Sequence, residues 1–240
     1  MKQAISITYG EVTETRTGMN QNGRTLREGF TLEELQYAKN WFEQRGCTVN
    51  LMHLNEALEG VDLDGKEAPA AYVLEVKRGV SCWCDPDKMY KEQAALTPDK
   101  TYFDGRRQRV LNMRARYNTT FGEDAVEPDI ANKVGQQVAF KDVPETEKLR
   151  KGLVEAFGEK ALGLRAEGNY YYIPKKCGIG KHGDRERGIV ICGSLGESMM
   201  MQFEWFYRSK GRGKKVSFKK EHGDLYAMSA HAVGQGWRKS

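Results

Sequence analysis

Apolar residues recur along this chain with two different periods. Leu32, Leu35, Ala38, Trp41 and Phe42 fall on one face at helical spacing, so the pattern predicts an amphipathic helix. Thr31 and Glu34 have the spacing of a capping box at its start, and Gly46 closes it. A second helix is predicted over 143–157: Pro144 suits a first turn, acidic residues crowd that end, and Gly158 follows the last apolar position. Tyr90 to Leu96 predicts a shorter one. Elsewhere the period drops towards two. Short strands are expected at Ile5–Tyr9, Thr48–Met52 and Tyr72–Val76. After Asn169 strand-like runs dominate: Gly188–Cys192, Ser198–Phe206, Lys214–Phe218 and Asp224–Met228, with glycine-containing breaks. Residues 10–29, rich in glycine and polar side chains, are expected as loop. So is most of 79–105, with its Asp-Pro, Thr-Pro-Asp and Phe-Asp-Gly turn chemistry.

Helices followed by a run of strands predict an α+β fold. The strand–helix–strand–strand unit of 1–80 is expected as an N-terminal α/β extension, with the core in 85–240. Short turns between the later strands fit a double-stranded β-helix (jelly-roll), and periodicity alone fits any β-sandwich equally well.

With 240 residues and 39% apolar content, the chain can bury a full core. No apolar run approaches membrane-spanning length and no signal-peptide core is evident, which predicts a soluble intracellular protein with no membrane partner; a monomer is expected. The 5 cysteines are odd in number and scattered, so neither a disulfide framework nor a structural zinc site is expected. The net charge of +5 is distributed unevenly. Arg106, Arg107, Arg109, Arg114 and Arg116 form one basic cluster, and Arg208, Lys210, Arg212, Lys214, Lys215, Lys219 and Lys220 another. Each is either a solvated face or a phosphate-facing surface.

Candidate chemistry centres on His182-Gly183-Asp184. In extended chain, residues i and i+2 share a face, so one ion can take both an imidazole and a carboxylate, two corners of the 2-His-1-carboxylate triad of non-haem iron. A second such triplet, His222-Gly223-Asp224, leaves two placements open on spacing alone. His53, between Met52 and Leu54, reads as structural.

The surroundings separate the triplets. Asn169-Tyr170-Tyr171, then 178–187 containing Ile179-Gly180-Lys181-His182-Gly183-Asp184-Arg185-Glu186-Arg187, then His222-Gly223-Asp224-Leu225 leading to Met228-Ser229, resemble three ordered blocks of the AlkB-like Fe(II)/2-oxoglutarate dioxygenases. The resemblance covers the C-terminal half well and the N-terminal half loosely. It implies a jelly-roll core and a metal and catalytic pair of His182 and Asp184. It implies Fe(II), 2-oxoglutarate and O2 as cofactor and co-substrates, with Asn169 and Tyr171 holding 2-oxoglutarate. Glu186, with Arg116 and Tyr117 of an Arg-x-Arg-Tyr segment, would lie on the substrate side. The implied function is oxidative dealkylation of bases in nucleic acid, DNA or RNA, releasing formaldehyde. It also implies a distal histidine, followed by 2-oxoglutarate-binding arginines, on a strand returning after Ser229. Trp237 looks like the start of that strand, so both are expected beyond residue 240, with His231 as the local alternative. An inactive AlkB-like module that binds nucleic acid through its basic clusters is the competing reading. A structural β-sandwich with a coincidental His-Gly-Asp is the third.

Overall fold

A computed structural model describes residues 2–14, 21–24 and 28–235. In chain order its elements are β1 (Ala4–Gly10), β2 (Val12–Glu14), β3 (Gln21–Gly23), α1 (Leu32–Glu43), β4 (Val49–His53), β5 (Tyr72–Val76), α2 (Pro86–Ala95), β6 (Thr101–Asp104), β7 (Arg109–Asn112), β8 (Tyr117–Gly122), β9 (Gln137–Ala139), α3 (Pro144–Phe157), β10 (Arg165–Tyr171), β11 (Val190–Gly196), β12 (Met199–Tyr207), β13 (Lys210–Lys220) and β14 (Leu225–Met228). Eight strands make one sheet in the order β4-β5-β14-β11-β1-β10-β8-β9. All of its pairs are antiparallel except β8 with β9. The fold is therefore mixed α and β, built on one large sheet.

Alternation gives this sheet two unlike faces. Ile5, Ile7 and Tyr9 of β1, Ala166 and Tyr170 of β10, Ile191 and Leu195 of β11, and Leu225 and Ala227 of β14 point to one side. There they form the main core with Leu35, Ala38 and Phe42 of α1, Met89 of α2, and Leu149, Leu153 and Phe157 of α3. The opposite side splits. Towards β5 it is apolar, with Val73, Val190, Cys192, Tyr226 and Met228 packed on Phe218 of β13. Towards β8 it carries buried polar residues: Ser6, Asn118, Glu167 and Asn169. The β12–β13 hairpin lies against the apolar part of this face, with Met201, Phe203, Trp205 and Val216 packed onto it. Its dock is tight. Trp205 donates its indole N–H to the Leu54 carbonyl at 2.9 Å. Gly213, at φ +68, also passes so close to the Ala57 carbonyl that a Cβ there would sit 2.1 Å from its oxygen.

Helix ends are satisfied as the sequence predicts, with one addition. Thr31 and Glu34 exchange their capping-box hydrogen bonds at 3.2 and 2.8 Å. Asp85 caps α2, which begins at Pro86 rather than Tyr90. No side chain of its own caps α3; Glu92 of α2 accepts from the Glu145 and Thr146 amides at 2.7 and 3.0 Å instead. A buried chain of hydrogen bonds continues from there, Gln93 to Thr146 at 2.6 Å and Tyr170 to Gln93 at 2.7 Å, tying two helices to the sheet.

Several expectations change. Residues 1–80 share a sheet and a core with 85–240: β1 pairs with both β10 and β11, and β5 with β14. The reason is physical, since β1 is buried on both faces and cannot stand beside a core as an edge would. The expected loop at 10–29 contains the short β2–β3 pair. Trp237 and the expected return strand lie outside the described residues. Among the described residues, no helix is long and apolar enough to cross a membrane.

If β1 is central to the core, Ile7→Ala should lower unfolding free energy by about 2–5 kcal/mol. Chemical denaturation measures this; a loss within about 0.5 kcal/mol, the usual scale of a surface change, would place β1 outside the cooperative unit.

Candidate functional site

The two His-Gly-Asp triplets have different environments. In the second, the Asp224 carboxylate accepts from Lys77 Nζ at 2.8 Å, the Arg78 amide at 3.0 Å and the Glu221 amide at 2.9 Å. His222 Nδ1 accepts from the Gly196 amide at 3.0 Å. Through Asp224 these bonds fasten the β13–β14 turn to the end of β5, and through His222 Nδ1 to the end of β11. His53 stacks on Tyr72 at 4.6 Å, in keeping with a structural role.

The first triplet lies on a loop over the polar half of the sheet. His182 is half-exposed, and its Nδ1 is 2.8 Å from the Gly180 carbonyl oxygen. A carbonyl can only accept, so Nδ1 must carry the proton. Nε2 then faces Asp184 Oδ1 at 3.4 Å. Two lone pairs face each other there unless a proton or a cation lies between them. The hydrogen bond to Asp184 outweighs burial and raises the His182 pKa above its usual value, which favours a proton in that position. Burial pushes the Asp184 carboxyl up, but His182, Arg187 and Arg116 together pull it below its ordinary range. The same pair fits a metal. With bonds of about 2.0–2.2 Å, a histidine nitrogen and a carboxylate oxygen on one ion sit about 3.0–3.5 Å apart.

What holds this loop is Arg187, which is 4% exposed. Its guanidinium meets Glu167 of β10 at 2.8 Å, Glu186 at 2.8 Å and Asp184 at 3.4 Å. The Asp184 amide also donates to the Val233 carbonyl at 3.1 Å, and Glu11 accepts the Gly188 and Ile189 amides.

Under the loop is a cavity of about 1490 Å³, lined by His182, Asp184, Glu186, Arg187, Asn169, Tyr171 and Arg116 among others. Asn169 and Tyr171 are two apart on β10, so alternation aims both into it, beside Glu167. Asn169 donates to Glu167 at 3.1 Å and accepts from Arg116 Nε at 2.5 Å. Burial pushes the Tyr171 phenol up, with Arg116 and Ser6 acting the other way. Most of the residues singled out in the sequence therefore meet in one place. Tyr117 does not: its ring stacks on Tyr172 at 4.5 Å, outside the cavity lining. Glu186 lines the cavity and is paired with Arg187 there. His231 sits in the turn after β14 and lines the cavity too. Among the described residues, no group of three His, Cys, Asp or Glu side chains is close enough to hold an ion.

Ser6, Glu167 and Lys220 also line the cavity and carry no sequence motif of their own. Alternation was their signal. Glu167 is in phase with Asn169 and Tyr171, and Lys220 with Val216 and Phe218. Lys220 had been grouped with the exposed basic cluster; it is 7% exposed and turned inward, so it is not part of a phosphate-facing surface. Arg208 and Lys219 of that cluster pair with Asp64 and Glu221.

Comparison with known proteins finds one curated relative, "Uncharacterized protein R156" of Acanthamoeba polyphaga mimivirus. It is 35% identical over 240 residues, spanning 100% of this chain and 92% of the relative. This chain belongs to the family of R156. No family model matches the chain, and no solved structure matches it.

Two measurements test the site. Asp224→Ala should cost about 2–4 kcal/mol, since three donors lose a buried charged acceptor, whereas Asp184→Ala should remain folded with a smaller loss and no longer bind a divalent metal above background. Unchanged metal affinity in the Asp184 variant would sink the assignment. By NMR, the metal-free His182 ring should titrate above its ordinary midpoint of about 6.5. Because the folded pKa is the raised one, this pair's contribution to stability is complete below the unfolded value and disappears as pH rises through the folded one. Metal binding should strengthen over that same rise, as the competing proton leaves.

Proposed function

We propose that this protein is an AlkB-like Fe(II)/2-oxoglutarate dioxygenase that dealkylates bases in nucleic acid. The observation that carries this reading is the convergence of His182 Nε2 and Asp184 Oδ1 at 3.4 Å beside a cavity that Asn169 and Tyr171 enter from one strand. On this reading the large sheet and the β12–β13 hairpin are the two walls of a jelly-roll.

Each residue then has a task. His182 and Asp184 hold the metal, with Nδ1 fixed on the Gly180 carbonyl so that Nε2 stays available. Arg187 keeps Asp184 ionised and the loop in place. Asn169 and Tyr171 orient 2-oxoglutarate. Arg116, whose head lies on Asn169, acts on the co-substrate side rather than on the base. Glu186, already paired, keeps its place near the substrate through Arg187. Iron bound there would let O2 act as the oxidant: one oxygen atom would go to 2-oxoglutarate, which leaves as succinate and CO2, and the other would hydroxylate a methyl carbon on a base nitrogen, after which formaldehyde leaves. Extracting the base from its stack costs a few kcal/mol or about that. Exposed Arg106, Arg107 and Arg109 on the β6–β7 hairpin, and Lys210, Lys214 and Lys215 on β12–β13, offer phosphate contacts.

Anaerobic addition of Fe(II) and 2-oxoglutarate should give a visible charge-transfer band that needs both together and is lost in Asp184→Ala. Methylated oligonucleotides should then release formaldehyde on exposure to air. A band without turnover, together with salt-dependent oligonucleotide binding, would favour the inactive binding module. Neither band nor binding would leave a structural protein.

A further inference from the structure

Two of the cysteines face each other. Cys47 Sγ and Cys82 Sγ are 3.6 Å apart, in van der Waals contact, although the residues are 35 positions apart in the chain. Both thiols are free and half-buried. Cys84, Cys177 and Cys192 are fully buried, as reduced cysteines that serve packing usually are. Each of these has another neighbour: the Val80 carbonyl, the Ile173 amide and the Gly193 carbonyl, at 3.7, 3.4 and 3.6 Å respectively.

The position of the pair is mechanically significant. Cys47 lies just before β4, and Cys82 ends a 3₁₀ turn, Gly79–Cys82, that follows β5. β4 and β5 are antiparallel with Val49 opposite Val76, so the two sulfurs meet at the open end of this hairpin. β4 is also an outermost strand of the large sheet. The chain beside each sulfur is clamped. Trp83 stacks on Trp41 of α1 at 5.0 Å, and it lies so close to Gly152 of α3 that a Cβ there would sit 2.3 Å from the ring. The Arg45 guanidinium covers the Trp41 ring at 3.5 Å, and the Cys47 amide donates to the Phe42 carbonyl at 3.1 Å. Sulfurs held facing each other in this way have a high effective concentration, which favours a bond between them over bonds to outside thiols.

We propose that Cys47 and Cys82 are a reversible disulfide site, oxidised by exchange with a low-molecular-weight disulfide, and that the bond clips the edge strand β4 to the end of β5. The two sulfurs have different tasks. Burial, and then the Cys47 sulfur beside it, push the Cys82 thiol up, with Arg45 acting the other way. Cys82 therefore keeps its proton and donates it to Cys47, which is the attacking thiolate. Cys47 bonds to one sulfur of the small disulfide; that S–S bond breaks, and the other half leaves as a thiolate that takes up a proton. Cys47 is then neutral, so the charge that held the Cys82 proton is gone. Cys82 gives this proton to solvent and attacks the Cys47 sulfur, and the second small thiolate leaves and is protonated. Two protein thiols are thereby oxidised by two electrons, and one small disulfide is reduced to two thiols. Both cysteines pack on the helix side of the sheet and neither lines the cavity, so this site does not rest on the dioxygenase reading.

The probe is glutathione disulfide, added with reduced glutathione to the folded protein; free thiols are then blocked and disulfides mapped by mass spectrometry. In the wild type a Cys47–Cys82 bond should form at least about tenfold faster than Cys84, Cys177 or Cys192 is lost, and dithiothreitol should reverse it. In Cys82→Ala, Cys47 should instead retain one glutathione. In Cys47→Ala, Cys82 should react at least about tenfold more slowly than Cys47 does. The oxidised wild type should melt several degrees above the reduced protein, a rise missing from both variants. Mapping the wild type needs no substitution, so the pair is tested even if a variant fails to fold. The assignment is overturned if both thiols stay reduced, if Cys47 keeps its glutathione in the wild type, if the bond forms only in denaturant, or if it forms without raising the melting temperature.

Discussion

The guanidinium of Arg187 is what the candidate site depends on. It is buried against Glu167 on the sheet and against Asp184 and Glu186 on its own loop. A buried ion cluster like this rarely adds net stability, because desolvating the charges cancels much of their attraction. Its value lies in position. A loop of glycines and charges from 178 to 187 has no apolar face with which to dock. Arg187 gives it a buried side-chain attachment to the sheet, beside the backbone bond from Asp184 to Val233, and together these place Asp184 and His182.

The fold supports this through the difference between the two faces of its sheet. One face is apolar across its middle strands and takes all three helices. The other buries polar groups over β10 and β8, and buried polar groups need partners. Asn118, Glu167, Asn169 and Arg116 bond to one another there, and the Asn118 side-chain oxygen has no partner among the described residues. Among the described residues, Lys220 has no acceptor beyond Ser6. On the proposed function, such a wall would receive a ligand that brings hydrogen-bond acceptors and charge.

Two copies of one tripeptide also show how context assigns chemistry. His182-Gly183-Asp184 and His222-Gly223-Asp224 have the same residue types at the same spacing. At Asp224 two amides and a lysine occupy the carboxylate and close a turn. At Asp184 the nearest groups are an imidazole nitrogen and an arginine. The Asp224 carboxylate has its donors already, whereas the facing Asp184 oxygen and His182 nitrogen call for a proton or a cation.

Local pattern determined the helix of 32–43 with its capping box and most of the strands, since each depends on spacing within a few residues; His182, Asp184, Asn169 and Tyr171 were singled out by the resemblance, because spacing left both His-Gly-Asp triplets open. The same alternation that buried Ile5 and Ile7 held the inward aim of Glu167 and Lys220, although composition drew Lys220 into a basic cluster. What no local pattern could settle is pairing. That β1 lies between β10 and β11 depends on contacts more than 150 residues apart, and so does the meeting of Ser6 with Lys220. The capping of α3 by Glu92 likewise crosses between helices. Spacing along the chain decides which way a side chain points; only the folded sheet decides what it meets there.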